Sequence, residues 1–282
     1  MAKLKIAIIS NDDKVFSLYA WNNVFESKIF TDEYDCVGLW TCNQKFKKEK
    51  GFYYWIWYLR TFGSWNFFKL FSFVISFKFF SYLKFFIGNY HLSFRKLSKA
   101  NQVDFRETST PNSPDFIEWV KANKIDILII MVDYILKPEI LAIPKICVLN
   151  KHASLLPENK GLFPFFWAAI AGQTQGVTFH KVNEKIDEGD LYYQERMTKK
   201  QQLNSMISFY FYVHRYYHRM LNEALKNITM GTIIPSDPNL VPGYNGFPAA
   251  ENYLTFKKKG GKIITLSEIL LPSVMLKKQV SL

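Results

Sequence analysis

The sequence predicts an α/β fold with a mostly parallel sheet, on three observations. Short apolar runs, LKIAII at 4–9, IDILIIM at 125–131 and ICVL at 146–149, have the length of buried strands. The segments between them carry helix or turn signals, and alternating strands and helices give a sheet covered on both faces. Hydrophobic residues make up 49% and charged residues 21% of the 282, which suits a closed core and excludes a disordered chain, a collagen or a bare coiled coil. At about 150 residues per domain, that length allows one large domain or one with a modest appendage.

The first strand, Leu4–Ile9, ends at the polar turn Ser10-Asn11-Asp12-Asp13. Ser113-Pro114-Asp115 supplies an N-cap, a proline at the first helical position and an acidic first turn, and Phe116, Trp119 and Val120 then recur at helical spacing as far as Asn123. Strands at 125–131 and 146–149 follow, separated by a turn-like Tyr134–Pro144. Ligands of such sheets lie beyond the carboxyl ends of the strands, so Asp133-Tyr134 and the residues from Asn150 onward are where a site is expected. With Asn204 or Ser205 as cap, residues 206–228 have the periodicity of one long helix, which stops near Gly231. We place a boundary near 232: residues 1–232 form the main domain, and 233–282 a small C-terminal module in which FKKKGGKII suggests a hairpin.

The 36 Lys plus Arg against 24 Asp plus Glu leave +12, which favours an anionic partner. Three cysteines, Cys36, Cys42 and Cys147, give neither a disulfide framework nor a paired metal signature, and no leader precedes Lys3, so a cytoplasmic chain is expected. An aromatic-rich insertion occupies about 52–90: 18 of the 49 aromatic residues fall between Phe52 and Phe86. A membrane span is not expected there, because Arg60, Lys69, Lys78 and Lys84 divide it into apolar pieces of about ten residues, short of the roughly 20 a span needs. A buried helical cover or subunit contact is preferred to an interfacial helix.

The chemistry concentrates between Asn150 and Asp190. In an extended strand end, Asn150 and His152 point to one side. An amide donor beside an imidazole can polarise a carbonyl and move a proton, and Asp187, from a separate loop, can orient the imidazole or raise its pKa. An N-x-H tripeptide alone fits equally a turn-capping Asn and a locally bonded His. The longer pattern is more specific: Asn150, His152, Ser154-Leu155-Leu156-Pro157, Gly161, Pro164, Trp167-Ala168, Gly176, Thr178, His180, Asp187 and Gly189, in that order.

This pattern resembles the folate-dependent formyltransferases, which include glycinamide ribonucleotide transformylase, methionyl-tRNA formyltransferase and the sugar N-formyltransferases; weaker similarity covers most of residues 1–230. The resemblance implies a Rossmann-like formyltransferase domain using 10-formyltetrahydrofolate, with Asn150, His152 and Asp187 as catalytic residues and no metal. It further implies that the pterin lies against Tyr134-Ile135-Leu136 and the loop around Asp187. A protonated His152 would then stabilise the oxyanion with Asn150, while Ser154 stabilises its loop. Departures from the relatives point to the acceptor. The first strand ends in SNDD, without the glycine-rich turn that cradles a ribonucleotide phosphate. The LLP motif continues with Glu158-Asn159-Lys160-Gly161 instead of the R-Y-R-G of the tRNA enzymes, and about 50 residues follow residue 232, less than their C-terminal barrel. The aromatic insertion, Asn112-Ser113-Pro114-Asp115-Phe116 and a tail with Tyr244, Phe247-Pro248 and Phe256 look like the sugar N-formyltransferases. A nucleotide-linked amino-deoxyhexose is therefore the expected acceptor, with polysaccharide biosynthesis as its setting, a homodimer as the assembly and no nucleic-acid partner. A methionyl-tRNA formyltransferase and a non-catalytic, membrane-peripheral folate-binding scaffold are the alternatives.

Other constellations carry less. His214 and His218 stand one helical turn apart but lack the intervening glutamate of HExxH, Cys147 sits in an apolar strand, and Ser154 lacks a G-x-S-x-G elbow. Lys151 and Lys160 are expected to be solvated, and His180 to give structural support.

Overall fold

The computed structural model describes residues 3–43, 52–88, 90–198, 201, 203 and 205–277. Its elements run β1 (Leu4–Asn11), α1 (Phe16–Glu26), α2 (Lys28–Glu33), β2 (Tyr34–Cys42), α3 (Phe52–Phe62), α4 (Ser64–Ile87), α5 (Phe94–Ala100), β3 (Asp104–Thr108), α6 (Pro114–Ala122) and β4 (Ile127–Met131). They continue α7 (Pro138–Leu141), β5 (Cys147–His152), β6 (Lys160–Gly161), α8 (Pro164–Ala171), β7 (Gly176–Lys181), β8 (Leu191–Arg196), α9 (Met206–Arg215), α10 (Tyr217–Thr229), β9 (Tyr244–Asn245) and α11 (Ala250–Lys258), then a 3-10 segment, Ser267–Leu276.

Seven strands form one sheet in the order β3-β2-β1-β4-β5-β7-β8. The first five are parallel, and β7 and β8 join antiparallel, which makes the fold Rossmann-like with a mostly parallel sheet. Alternation along the central strands sorts two cores. Ile6, Ile8, Ile127, Ile129 and Leu149 face α1, α9 and α10, whereas Ala7, Ile9, Leu128, Ile130 and Val148 face Phe116, Trp119 and Val120 of α6. Strand order reverses between β1 and β4, so the crevice at their carboxyl ends is where ligands of such sheets bind.

Three expectations differ from the structure. Residues 206–228 form two helices with a break at Tyr216, because the buried Asn23 amide donates to the carbonyls of His214 and Arg215 and draws them out of the helical ladder. The cap is Ser205, whose hydroxyl accepts from Ser208 N; Asn204 lies outside the described residues. The tail forms a helix instead of the expected hairpin: Gly260, at φ +82°, ends α11, and Gly261 N donates back to the Phe256 carbonyl at 2.9 Å. A side chain on Gly261 would strike the Phe256 ring, itself stacked on Phe166 at 4.5 Å. Phe256, Ile263, Ile264 and Met275 enter the main core; residues 278–282 lie outside the described residues.

The third difference is α4, one unbroken helix of 24 residues, long and apolar enough by length and composition to cross a membrane. Its lysines do not divide it. Lys69 is buried and donates to the Ile264 carbonyl at 2.6 Å, while Lys84 reaches Glu26 at 3.8 Å, so both cations are turned into the protein. Leu70, Phe73 and Phe77 fill the main core as the expected cover, but the opposite face of the helix is exposed.

Candidate active site

Strand β5 ends in the antiparallel register Asn150↔His180 and His152↔Thr178 with β7, which places the N-x-H and G-x-T-x-H motifs side by side. The SLLP turn is locked onto this pair. Thr178 Oγ1 donates to the Ser154 carbonyl at 2.7 Å and accepts from Leu156 N at 3.1 Å. Ser154 Oγ donates to the Glu158 carbonyl at 2.7 Å, the loop-stabilising contact expected of it. Gly176 is required by close packing, since a Cβ there would lie 2.2 Å from Leu155.

Asp187 enters from the β7–β8 loop at φ +54°, held by Gly189, where a Cβ would sit 1.8 Å from the Lys181 carbonyl oxygen. One carboxylate oxygen, Oδ2, accepts from Gly161 N at 2.9 Å and lies 3.5 Å from His152 Nδ1; the other, Oδ1, lies 3.5 Å from His180 Nε2. Asn150 Nδ2 is 3.4 Å from His180 Nε2, and the two imidazoles are nearly perpendicular with centroids 6.5 Å apart. Asn150, His152 and Asp187 thus converge as the sequence suggests, and His180, assigned there to support, joins the same carboxylate. Its signal was the pairing of the N-x-H and G-x-T-x-H motifs on adjacent strands, which a one-dimensional reading does not show.

The tautomers follow from the acceptors. His152 Nε2 faces the Asn159 carbonyl at 2.8 Å, so it carries hydrogen and leaves Nδ1 toward Asp187. His180 Nδ1 faces the Lys181 carbonyl at 2.9 Å, so its Nε2 accepts from Asn150 and one Asn150 N–H remains available. Burial lowers the pKa of His152 and of His180, and the Asp187 charge opposes this only in part. Burial of His152, at 7% exposure, thus outweighs one carboxylate 3.5 Å away and favours the neutral imidazole.

The residues expected to line the donor, Tyr134, Ile135 and Leu136, lie in the loop after β4. Leu136 is buried, Ile135 is 76% exposed, and Tyr134 Oη lies 3.1 Å from the carbonyls of Asn43 and Ser109. Asn112 clamps this turn from the Asn-Ser-Pro-Asp phrase: its amide donates to the Ile135 carbonyl at 3.0 Å and its carbonyl accepts from Lys137 N at 2.8 Å. In the crevice between β1 and β4, Asn11 Nδ2 donates to Asp133 Oδ2 at 2.6 Å, and burial raises the Asp133 pKa. Lys151 is half-buried beside this carboxylate, not fully solvated, and burial lowers its pKa to about 8. Lys160 pairs with Glu188 at 2.5 Å. Asp13 accepts from Val15, Phe16 and Ser17 N at 2.9–3.0 Å, so the α1 N-terminus is capped from within. His214 packs on Phe16 and donates to the Tyr210 carbonyl at 2.7 Å, and Cys147 is a core thiol pushed up to about 12 by burial. Among the described residues no group of three or more His, Cys, Asp or Glu is placed to hold a metal ion.

Residues 92–225, which span β5, β7 and the Asp187 loop, match the formyl transferase family model. Over this segment, 134 of the 282 residues, the chain is similar to that family. It is 37% identical over 93 residues to the methionyl-tRNA formyltransferase of Chlorobium limicola, a stretch covering 33% of this chain and 29% of that relative. The match thus spans less than a third of the relative's length. Among solved structures, a sugar N-formyltransferase from Shewanella aligns with TM-score 0.54 and 13% identity over 91% of this chain and 87% of that one. Glycinamide ribonucleotide transformylase 1 from Symbiobacterium toebii gives TM-score 0.54 and 14% identity over 86% and 95%. Equal scores for two enzymes with different names show that the formyltransferase fold is shared and does not choose the acceptor.

Proposed function

We propose that this formyltransferase moves a formyl group from 10-formyltetrahydrofolate to the amine of a nucleotide-linked amino-deoxyhexose. The shared carboxylate carries the transfer: Asp187 lies 3.5 Å from an imidazole whose Nδ1 is free to take a proton, beside an amide with one unused N–H. The acceptor amine attacks the formyl carbon, and the Asn150 N–H donates to the formyl oxygen as it gains charge. His152 accepts the amine proton on Nδ1, where Asp187 steadies the new imidazolium. The intermediate then collapses: the bond from carbon to the folate nitrogen breaks, and that nitrogen takes the proton. Tyr134, Ile135, Leu136 and the Asp187 loop would line the pterin.

For the acceptor, the supporting observation is Asp13. Its carboxylate accepts three backbone N–H groups at the start of α1, donors that a phosphate-binding glycine-rich turn would leave for the ligand. This argues against a small phosphorylated amine seated on α1. The sequence relatives favour a second reading, methionyl-tRNA as acceptor. A mass-spectrometric screen of nucleotide amino sugars and methionyl-tRNA with 10-formyltetrahydrofolate separates the two. Formylation of a sugar, competed by its nucleoside diphosphate, supports the proposal; robust tRNA formylation with inert sugars overturns the acceptor while leaving the transfer chemistry in place.

A further inference from the structure

Helix α4 has two faces, and only the inner one is used by the domain. Outward, Trp65, Phe68, Phe71, Ile75, Phe79, Tyr82 and Phe86 recur at three- and four-residue steps along the helix and are all more than half exposed, from 52% at Phe71 to 76% at Phe86. Trp65 stacks on Phe68 at 5.7 Å, extending the apolar surface instead of folding it inward. A row of exposed rings this long is far more than the scattered apolar residues of an ordinary surface.

The charged residues of the segment that carries the row are all basic. No Asp or Glu occurs between Lys50 and Val103, whereas Arg60, Lys78 and Lys96 are exposed there. Lys78 lies within the row, and the Lys96 ammonium sits 5.8 Å over the Phe85 ring at its far end. Trp65 and Tyr82 stand toward the two ends, where amphipathic rings suit a headgroup layer. Pairing this face with its own copy would bring Lys78 and Lys96 against the same cations, the acidic neighbour Glu26 being already engaged by Lys84.

We propose that the outer face of α4 seats the protein on an anionic lipid bilayer, the helix lying in the plane of the surface with its rings in the headgroup–acyl boundary and Arg60, Lys78 and Lys96 on lipid phosphates. It lies flat and does not span, because its other face is fastened to the domain through Lys69 on the Ile264 carbonyl and Lys84 on Glu26. This inference is independent of which amine is formylated.

The test is flotation of the full-length chain with phosphatidylcholine vesicles, with and without phosphatidylglycerol, at low and high salt. Binding is expected with the anionic vesicles, weakened by salt. The triple variant Phe71→Ser, Phe79→Ser, Phe86→Ser should bind about 100-fold more weakly, and Lys78→Glu about fivefold or more. All four positions are exposed, and an unchanged far-UV spectrum and urea midpoint verify that the variants fold. Absence of flotation, or flotation that the triple variant leaves unchanged, overturns the proposal. So does a dimer in sedimentation velocity that the triple variant dissociates while the wild type ignores vesicles, since a second copy then covers the face.

Discussion

Replacing Asp187 by Asn keeps the shape of the site and removes one charge. Asparagine Oδ1 can still accept from Gly161 N, so the loop held by Gly189 should stay in place. At 3.5 Å and an effective dielectric of about 20, a carboxylate and an imidazolium attract by about 5 kcal/mol, an upper figure that water and the Gly161 N–H reduce. A neighbouring carboxylate commonly moves a partner's pKa by about 1–3 pH units, equivalent to about 10- to 1,000-fold in the stability of the imidazolium. The sign is fixed by the geometry. Asp187 raises the His152 pKa against burial, so its loss lowers that pKa further. Turnover, followed as release of tetrahydrofolate, should drop by about 100-fold on the plateau, while the acid limb of kcat/KM moves to lower pH. Histidine NMR reads the same effect without turnover: the His152 titration should shift to more acidic pH in the variant. An unmoved titration together with an unchanged pH profile would refute the electrostatic role and leave Asp187 a loop residue.

Three further outcomes are expected. Asn150→Ala should lower kcat by about 100-fold with the His152 titration nearly intact, because it removes an oxyanion donor and no charge; steady-state kinetics reads the split between kcat and KM. Gly189→Ala pushes a methyl into the Lys181 carbonyl, so its loop must move and carry Asp187 away from His152; a near wild-type pH–rate profile would contradict that placement. Stability should fall as pH drops below about 6.5, since His180 and His214 are buried with pKa values lowered to about 4 and about 3 and the unfolded chain binds protons that the folded one refuses. The loss accumulates between those limits, and urea midpoints at pH 7.5, 6 and 5 measure it; a flat series would show that these imidazoles are not held neutral.

The parts legible in the sequence are those whose signal is local. Strands β1, β4 and β5 announce themselves as apolar runs, and α6 by Ser113, Pro114 and Asp115 at its start. The convergence of Asn150, His152 and Asp187 was legible because the motif around them is constrained residue by residue: Gly176 by Leu155, Gly189 by Lys181, Thr178 by the SLLP backbone. What was not legible depends on partners distant in the chain. The break at Tyr216 needs Asn23, nearly 200 positions away, and the α11 helix turns on Phe256 finding Phe166. The lysines of α4 read as interruptions because sequence does not say that Ile264 and Glu26 wait for them.

The burial of His152 belongs to the same class, and it bears on the proposed transfer. A charged imidazole at rest would be a ready electrostatic partner for the oxyanion but a poor acceptor for the amine proton. A neutral imidazole, with Nε2–H committed to the Asn159 carbonyl and Nδ1 facing Asp187, is prepared to take that proton and becomes charged only when the reaction supplies it. The carboxylate then contributes more in the transition state than in the resting enzyme, which is the condition for raising kcat instead of merely tightening binding. In the proposed transfer, burial thus favours the neutral base, and Asp187 holds the proton on it while the intermediate lasts.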